Sequence, residues 1–445
     1  MRDAVSALAG DTGSVAGNSL RVLGAQAAGN AGYFVSVLLL ARGLAPADRG
    51  AVAFVTVSAL VISSMASFGA TEATKVFAAQ RPAARSRLLS NVVLLSALGG
   101  LAGGGIAGGA LILLPGARPA GVAALELVLI CAGAVVGAVA LAGAAFLQGC
   151  SRFRPYARVV ATAPWVYALL IAAIWSGWGL TVHSAVAAWV AAQAVPALAL
   201  SAASARGIGF GRLDARLMRE TVRFGVRAWL GGLAHLLNAR VDQILMGLLA
   251  SQAALGTYAV AVNGSEVLFY LPSAVATALL PAVARSGAET RVERTLRVFR
   301  AVMILTLAGV IVAAGLGPML LPLVFGDAYA GSVGPFLWLL PSAFGFAASA
   351  VFSNALLASG APALSSLGPV VALVIGVTLD VLLIPQLGAT GAAIAASAAL
   401  MCGGAAAAVA YGIRAGLRPV ALVPRREDLE LLASRAMRRA GARPS

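Results

Sequence analysis

Apolar runs of about twenty residues recur along almost the whole length of this 445-residue chain. A hydrocarbon core ~30 Å thick is crossed by about 20 such residues in a helix. Runs of that size occur twelve times, over 17–41, 50–72, 88–114, 121–147, 159–178, 183–204, 224–250, 257–284, 298–323, 333–358, 363–384 and 389–413. Composition agrees: 60% of residues are hydrophobic and 11% charged, whereas soluble domains carry roughly 25% charged residues. The 51 glycines, with abundant alanine, let helix backbones approach closely in lipid. The expected fold is therefore an all-α membrane protein of twelve transmembrane helices.

The net charge of +16 has a topological explanation that makes nucleic acid unnecessary as a partner. With the N-terminus inside, 28 of the 32 Lys and Arg residues fall in the segments facing the cytoplasm. Arg42, Arg49 and Arg118 fall outside, and Arg240 lies within a span. Basic residues are retained on the cytoplasmic side, so both termini are expected there, in the cytoplasmic membrane. Three inner segments, around Leu213–Leu217–Thr221–Phe224, 291–300 and 427–439, have an apolar face amid arginines. They read as basic helices lying on an anionic inner leaflet, with docking to a partner as the alternative.

Six spans return the chain to its starting side, so two six-span halves would be parallel repeats. "LAPADRGAVA" matches "ASQAALGTYA", with Gly50 on Gly256. "FLQGCSRFRPYA" matches "LLASGAPALSSL", with Gly149 on Gly360, and "GLTVHSAVAA" matches "GATGAAIAAS", with Gly179 on Gly388. Three matches in order at nearly constant offset favour two related lobes. The organisation expected is an N-terminal six-helix lobe (1–204), a cytoplasmic amphipathic linker (205–223), a C-terminal six-helix lobe (224–413) and a basic cytoplasmic tail (414–445).

Catalytic chemistry finds no support. There is no GxxxxGK[ST] and no HExxH, the three cysteines form no CxxC, and Lys75 is the sole lysine. The short outer loops carry only Asp48 and Asp327 as acids. Neither catalytic residues, a bound metal nor a cofactor is expected.

The informative residues are the polar ones inside spans. An Arg or Asp at a helix centre costs about 2.5–3.5 kcal/mol on the insertion scale, so it normally faces a hydrated cavity or a partner. Arg240, Asp242 and Glu266 sit at similar depth. At 3.6 residues per turn, His235, Asn238 and Asp242 share one face, while Arg240 points about 200° from Asp242. Arg240 can reach Glu266 across the hairpin. Asn263 and Glu266 share a face of the next span, and Gln26, Asn30 and Tyr33 form a stripe on the first. Two readings stand for the charged trio: a buried pair fixing lobe geometry, or a cavity lining that handles substrate or ion. Asp242, Glu266 and Asp380 are the acids placed to bind a coupling Na⁺ or H⁺. Asp380, near the outer end of its span, can alternatively reach interfacial water.

Several stretches resemble Wzx-type polysaccharide flippases of the MOP (multidrug/oligosaccharidyl-lipid/polysaccharide) exporter superfamily: "LLLARGLAPADRGAVAF", "NARVDQILMGLLASQAALGTYAVA", "LLPAVAR" and "LLIPQLGATGAAIAAS". The likeness covers about residues 17–413. It implies a MATE-like bundle of two six-helix lobes that moves a lipid-linked oligosaccharide across the membrane by alternating access, through a commonly cationic cavity. On that reading Arg240, Asn238, Gln26, Asn30 and Asn263 contact substrate, and glycosyltransferase or polymerase machinery is the expected partner. Family members often carry Asn where Asp380 stands, and lipid II flippases usually have fourteen spans. A cation-coupled MATE-type multidrug exporter and a non-transporting membrane scaffold are the alternatives.

Overall fold

A computed structural model of the protein describes residues 2–113, 119, 121–276 and 288–416. Its regular elements are helical throughout the described residues. Apolar sequence drives each helix, because a backbone in lipid must satisfy its own hydrogen bonds. Among the described residues eight helices are long and apolar enough to cross a membrane, and a bent pair, Asp327–Leu339 with Ser342–Ala358, makes up to nine. The expected spans 17–41 and 224–250 lie in long helices outside that group. Spans 363–384 and 389–413 follow one another directly, separated by a break in helical geometry at Gly388.

The chain divides into two compact units, Met1–Leu233 with Ser251–Gly256, and Ala234–Ala250 with Thr257–Ser445. In the first, α1 (Arg2–Gly43) packs on α6 (Phe153–Trp178), with α2 (Pro46–Met65), α3 (Ala70–Gln80), α4 (Arg85–Leu113), α5 (Ala124–Gly149) and α7 (Val182–Ala205) completing the bundle. The expected span 50–72 is interrupted after Met65, where Phe68 and Gly69 adopt φ of 46° and 77° and turn the chain into α3. Polar bonds tie α1 to α6: the Trp165 indole donates to the Ala28 carbonyl (3.0 Å), and Ser36 Oγ donates to that of Pro164 (3.3 Å). Arg49 is buried against the protein in the first turn of α2.

α8 (Ala215–Leu249) begins in the first unit and ends in the second, and α9 starts at Gln252. The first turns of α2 and α9 touch within the first unit. A Cβ on Gly50 would lie 1.9 Å from the Gln252 carbonyl oxygen, and one on Gly256 would lie 1.9 Å from that of Pro46. Only glycine permits this approach from both sides.

The linker does not simply rest on lipid. Asp214 accepts from the Leu217 amide (3.0 Å), capping α8, and pairs with Arg87 (2.8 Å); Glu220 pairs with Arg81 (2.9 Å). Leu217 is buried with Phe77, Leu88, Leu89 and Phe146, and Thr221 is buried too. Leu213 and Phe224 remain exposed. The apolar face read as membrane-facing is thus half used by the protein's own core.

α9 (Gln252–Glu266) enters the second unit at Thr257 and runs into a short 3-10 turn at Val267–Phe269. It is joined by α10 (Ala288–Phe325), α11 (Val333–Leu339), α12 (Ser342–Ala358) and α13 (Leu367–Ala415). α11 and α12 meet at Leu340–Pro341 with a 47° bend. Proline supplies no amide there, so the helical ladder is interrupted. α13 breaks at Gly388, whose φ of 55° and ψ of −130° are open chiefly to glycine. The basic stretch 291–300 opens α10 and also faces inward: Leu296, Phe299 and Arg300 are buried, and Phe299 packs against Phe352 (4.6 Å) in a core that includes Tyr411. The segments 279–285 and 427–439 lie outside the described residues.

Candidate functional site

The second unit encloses a cavity of about 330 Å³ at the level of the polar residues of α8 and α9. α8 contributes Asn238 and Asp242, which share a face because they are four residues apart. α9 contributes Ser265 and Glu266, and α12 contributes Ser342, Phe346, Ser349, Ser353 and Asn354. Phe269 and Phe346 stack at 4.4 Å and 12° to form an apolar wall. The lining therefore mixes hydroxyls, amides and two acids, a chemistry suited to groups rich in hydrogen-bonding positions.

Arg240 Nη1 donates to Glu266 Oε1 at 2.7 Å and to the Ala239 carbonyl at 2.9 Å. The pair is about a fifth to a quarter exposed (22% and 24%). The guanidinium does not line the cavity; it reaches it through Glu266. Asp242 takes other partners, as its direction on the helix requires. Its Oδ2 accepts from the Tyr258 hydroxyl at 2.5 Å, and its Oδ1 from the Gln243 amide at 2.7 Å.

Asn238 Nδ2 donates to the Ala234 carbonyl (2.9 Å) and to the Pro369 carbonyl on α13 (2.6 Å). It ties two helices at the cavity wall. Asp380, also on α13, is 2% exposed, and its Oδ1 has no hydrogen-bond partner among the described residues. The protein buries it, so it does not reach interfacial water through the surface. It lies within electrostatic reach of Asp242 and Tyr258, and Tyr258 also feels Glu266. Three acids thus lie within electrostatic reach of one tyrosine.

Other anticipated residues fall elsewhere. Asn263 Nδ2 donates to the Ala259 carbonyl of its own helix (2.6 Å) and is not in the cavity wall. Gln26 and Asn30 belong to the first unit, where they are exposed on α1. The side chain of His235 lies outside those described. Tyr258 and the α12 residues were not anticipated. Ser342, Phe346, Ser349 and Ser353 follow the spacing of one helical face, which is a signal the sequence does carry.

The pattern of the family described as "Polysaccharide biosynthesis protein" matches residues 39–334. The chain belongs to that family. Comparison with functionally described proteins yields no match. Among solved structures, an inward-facing multidrug resistance MATE family transporter of the MOP superfamily superposes with a TM-score of 0.70 at 15% identity, covering 87% of this chain and 94% of that one. The lipid II flippase MurJ, in an inward closed conformation, gives 0.71 at 12% identity, over 91% and 88%. A MOP superfamily transporter from Pyrococcus furiosus gives 0.58 at 15%, over 90% and 95%. The fold of this polysaccharide biosynthesis family member is thus MATE-like, and the chain is a multi-pass membrane protein.

Proposed function

We propose that the protein is a flippase that carries a lipid-linked oligosaccharide across the cytoplasmic membrane by alternating access, with no catalytic step of its own. Twelve spans, both termini in the cytoplasm, and two six-helix lobes (1–204 and 224–413) are part of this reading. So are the 205–223 linker and the 414–445 tail. Glycosyltransferase or polymerase machinery would supply or consume the glycan. The observation that carries it is the cavity walled by Asn238, Asp242, Glu266 and the serines and Asn354 of the second unit, in a chain of the polysaccharide biosynthesis family. Hydroxyl and amide groups of that kind exchange hydrogen bonds with sugar hydroxyls, whereas a purely apolar wall would reject them.

In this reading Asn238 and Glu266 contact the glycan, and Gln26, Asn30 and Asn263 contact it in states where their helices face the substrate. Arg240 serves as an exchangeable cation: a phosphate of the substrate competes with Glu266 for the guanidinium, whose fork can hold phosphate oxygens bidentately. Asp242 and Asp380, with Glu266, bind the coupling Na⁺ or H⁺. The same acids favour a second reading, a cation-coupled multidrug exporter. The test uses the purified protein in proteoliposomes loaded with a fluorescent lipid-linked oligosaccharide. Protein-dependent flipping, lost in Asn238→Ala with Glu266→Ala, supports the proposal. Extrusion of cationic dyes without flipping would transfer it to the second reading, and neither activity in a correctly inserted protein would favour a scaffold.

A further inference from the structure

The first unit carries an open surface pocket of about 670 Å³, lined by largely exposed arginines and far from the site above in sequence and in chemistry. Its wall brings together Arg21 of α1, Arg152, Arg154 and Arg158 at the start of α6, and Arg206 just after α7. No carboxylate is among its described lining residues. Three separate chain segments, all assigned to the cytoplasmic side by the charge bias, converge there.

Five guanidinium groups on one wall raise the local positive potential, and an anion in that space would be drawn to it. The arrangement is partly built in advance: Arg152 Nη1 donates to the Ala203 carbonyl (3.1 Å) and the Arg206 carbonyl (2.8 Å), which holds that side chain across the mouth of the turn. α6 also begins there, with no acid in its first turn and no side-chain cap on its amides. The positive end of its dipole adds to the arginine field. Topological retention of positive charge requires basic residues on the inner side, but it does not require them to line a common pocket.

We propose that this pocket binds the phosphate of a lipid headgroup at the inner face of the membrane. Arginine forks hold phosphate oxygens bidentately, and basic pockets between helices on the cytoplasmic side take lipid phosphates. The phosphate has two sources, an anionic phospholipid or the pyrophosphate of a polyprenyl-linked saccharide. The site is independent of whether the cavity of the second unit transports anything.

The test is lipid binding by the full-length protein in nanodiscs, read by native mass spectrometry with phosphatidic acid and with a polyprenyl pyrophosphate as probes. Arg154→Gln with Arg158→Gln removes two charges from the wall and none of the hydrogen bonds described above. It should weaken binding of at least one probe about thirtyfold. Arg212→Gln with Arg219→Gln, equal in charge loss but outside the wall, should leave binding within about twofold. The Arg154→Lys, Arg158→Lys protein keeps the charge without the fork and should fall between them. Whichever probe shows the loss names the source. Equal losses in pocket and control variants, or no loss for either probe, would overturn the proposal. Because the readout is binding, its outcome holds whether or not the protein transports anything.

Discussion

The Tyr258 hydroxyl donates to Asp242 Oδ2 at 2.5 Å, and both side chains are buried. This bond frees Asp242 from Arg240, although the two are only two residues apart. It joins α8 to α9 beside the cavity, and Asp380 stands within electrostatic reach of both partners. Removing the hydroxyl leaves a buried carboxylate short of a partner. Tyr258→Phe should therefore destabilise the protein by about 1–3 kcal/mol. It should also change the cation dependence of transport more than the apparent affinity for glycan. A thermal melt in detergent, paired with flux under imposed Na⁺ and H⁺ gradients, measures both; an unaltered melt would remove the bond from any structural role.

Arg240 and Glu266 form the ion pair on which the substrate-anion reading depends. Arg240→Ala leaves Glu266 without its partner, and a broken buried pair costs about 3–5 kcal/mol at the extreme. This pair is partly exposed, so its loss should be smaller. Arg240→Ala should lower abundance, and Arg240→Ala with Glu266→Gln should restore it without restoring flipping. Normal flipping by the single variant at normal abundance would show that the guanidinium does not meet substrate.

Gly50 and Gly256 should resist the smallest enlargement. An added Cβ at either meets a carbonyl oxygen at 1.9 Å, so backbone must move. Each Gly→Ala change should cost roughly 1–3 kcal/mol by overpacking. Gly105, where a Cβ meets nothing within 4 Å, supplies the control and should tolerate Ala. Comparing the three melting temperatures decides whether this close approach limits stability.

Acid should loosen the docked linker. The Leu217 amide that donates to Asp214, aided by Arg87, holds its carboxyl below the usual range; the hydrogen bond from Arg81 does the same for Glu220. A lowered native pKa means that the unfolded segment binds protons first as pH falls. The stabilisation is full above the ordinary carboxyl values of about 4 and is lost as pH drops through the native ones. Both groups are partly exposed, so high salt should shrink the effect. The protection factors of residues 214–221, corrected for the intrinsic slowing of amide exchange in acid, should fall at low pH, and less so in Asp214→Asn, which begins already loosened.

Topology offers a direct check on the span count. Reporter fusions after residues 85, 154, 216 and 293 should all report cytoplasm, because basic residues cluster in each of those segments. An outside signal at 216 or 293 would reverse the assignment of the second half.

The sequence by itself determined the membrane environment and the helical class. Hydropathy and charge bias are local sums, which survive without knowledge of packing. Helical geometry also separated Arg240 from Asp242 and made Glu266 reachable, since a 26-residue gap folded as a hairpin returns to the same depth. What only tertiary structure decided is which surface each polar group meets. Asp380 is buried rather than wet, Asn263 turns back on its own helix, and Leu217 enters a protein core instead of lipid. Periodicity identifies the apolar face of a helix but cannot say whether lipid or another helix covers it, because both are equally apolar. The partnership of Tyr258 with Asp242 and the meeting of Arg21, Arg152 and Arg206 depend on how distant segments pack. Those contacts come from helix-to-helix geometry, which no local pattern encodes.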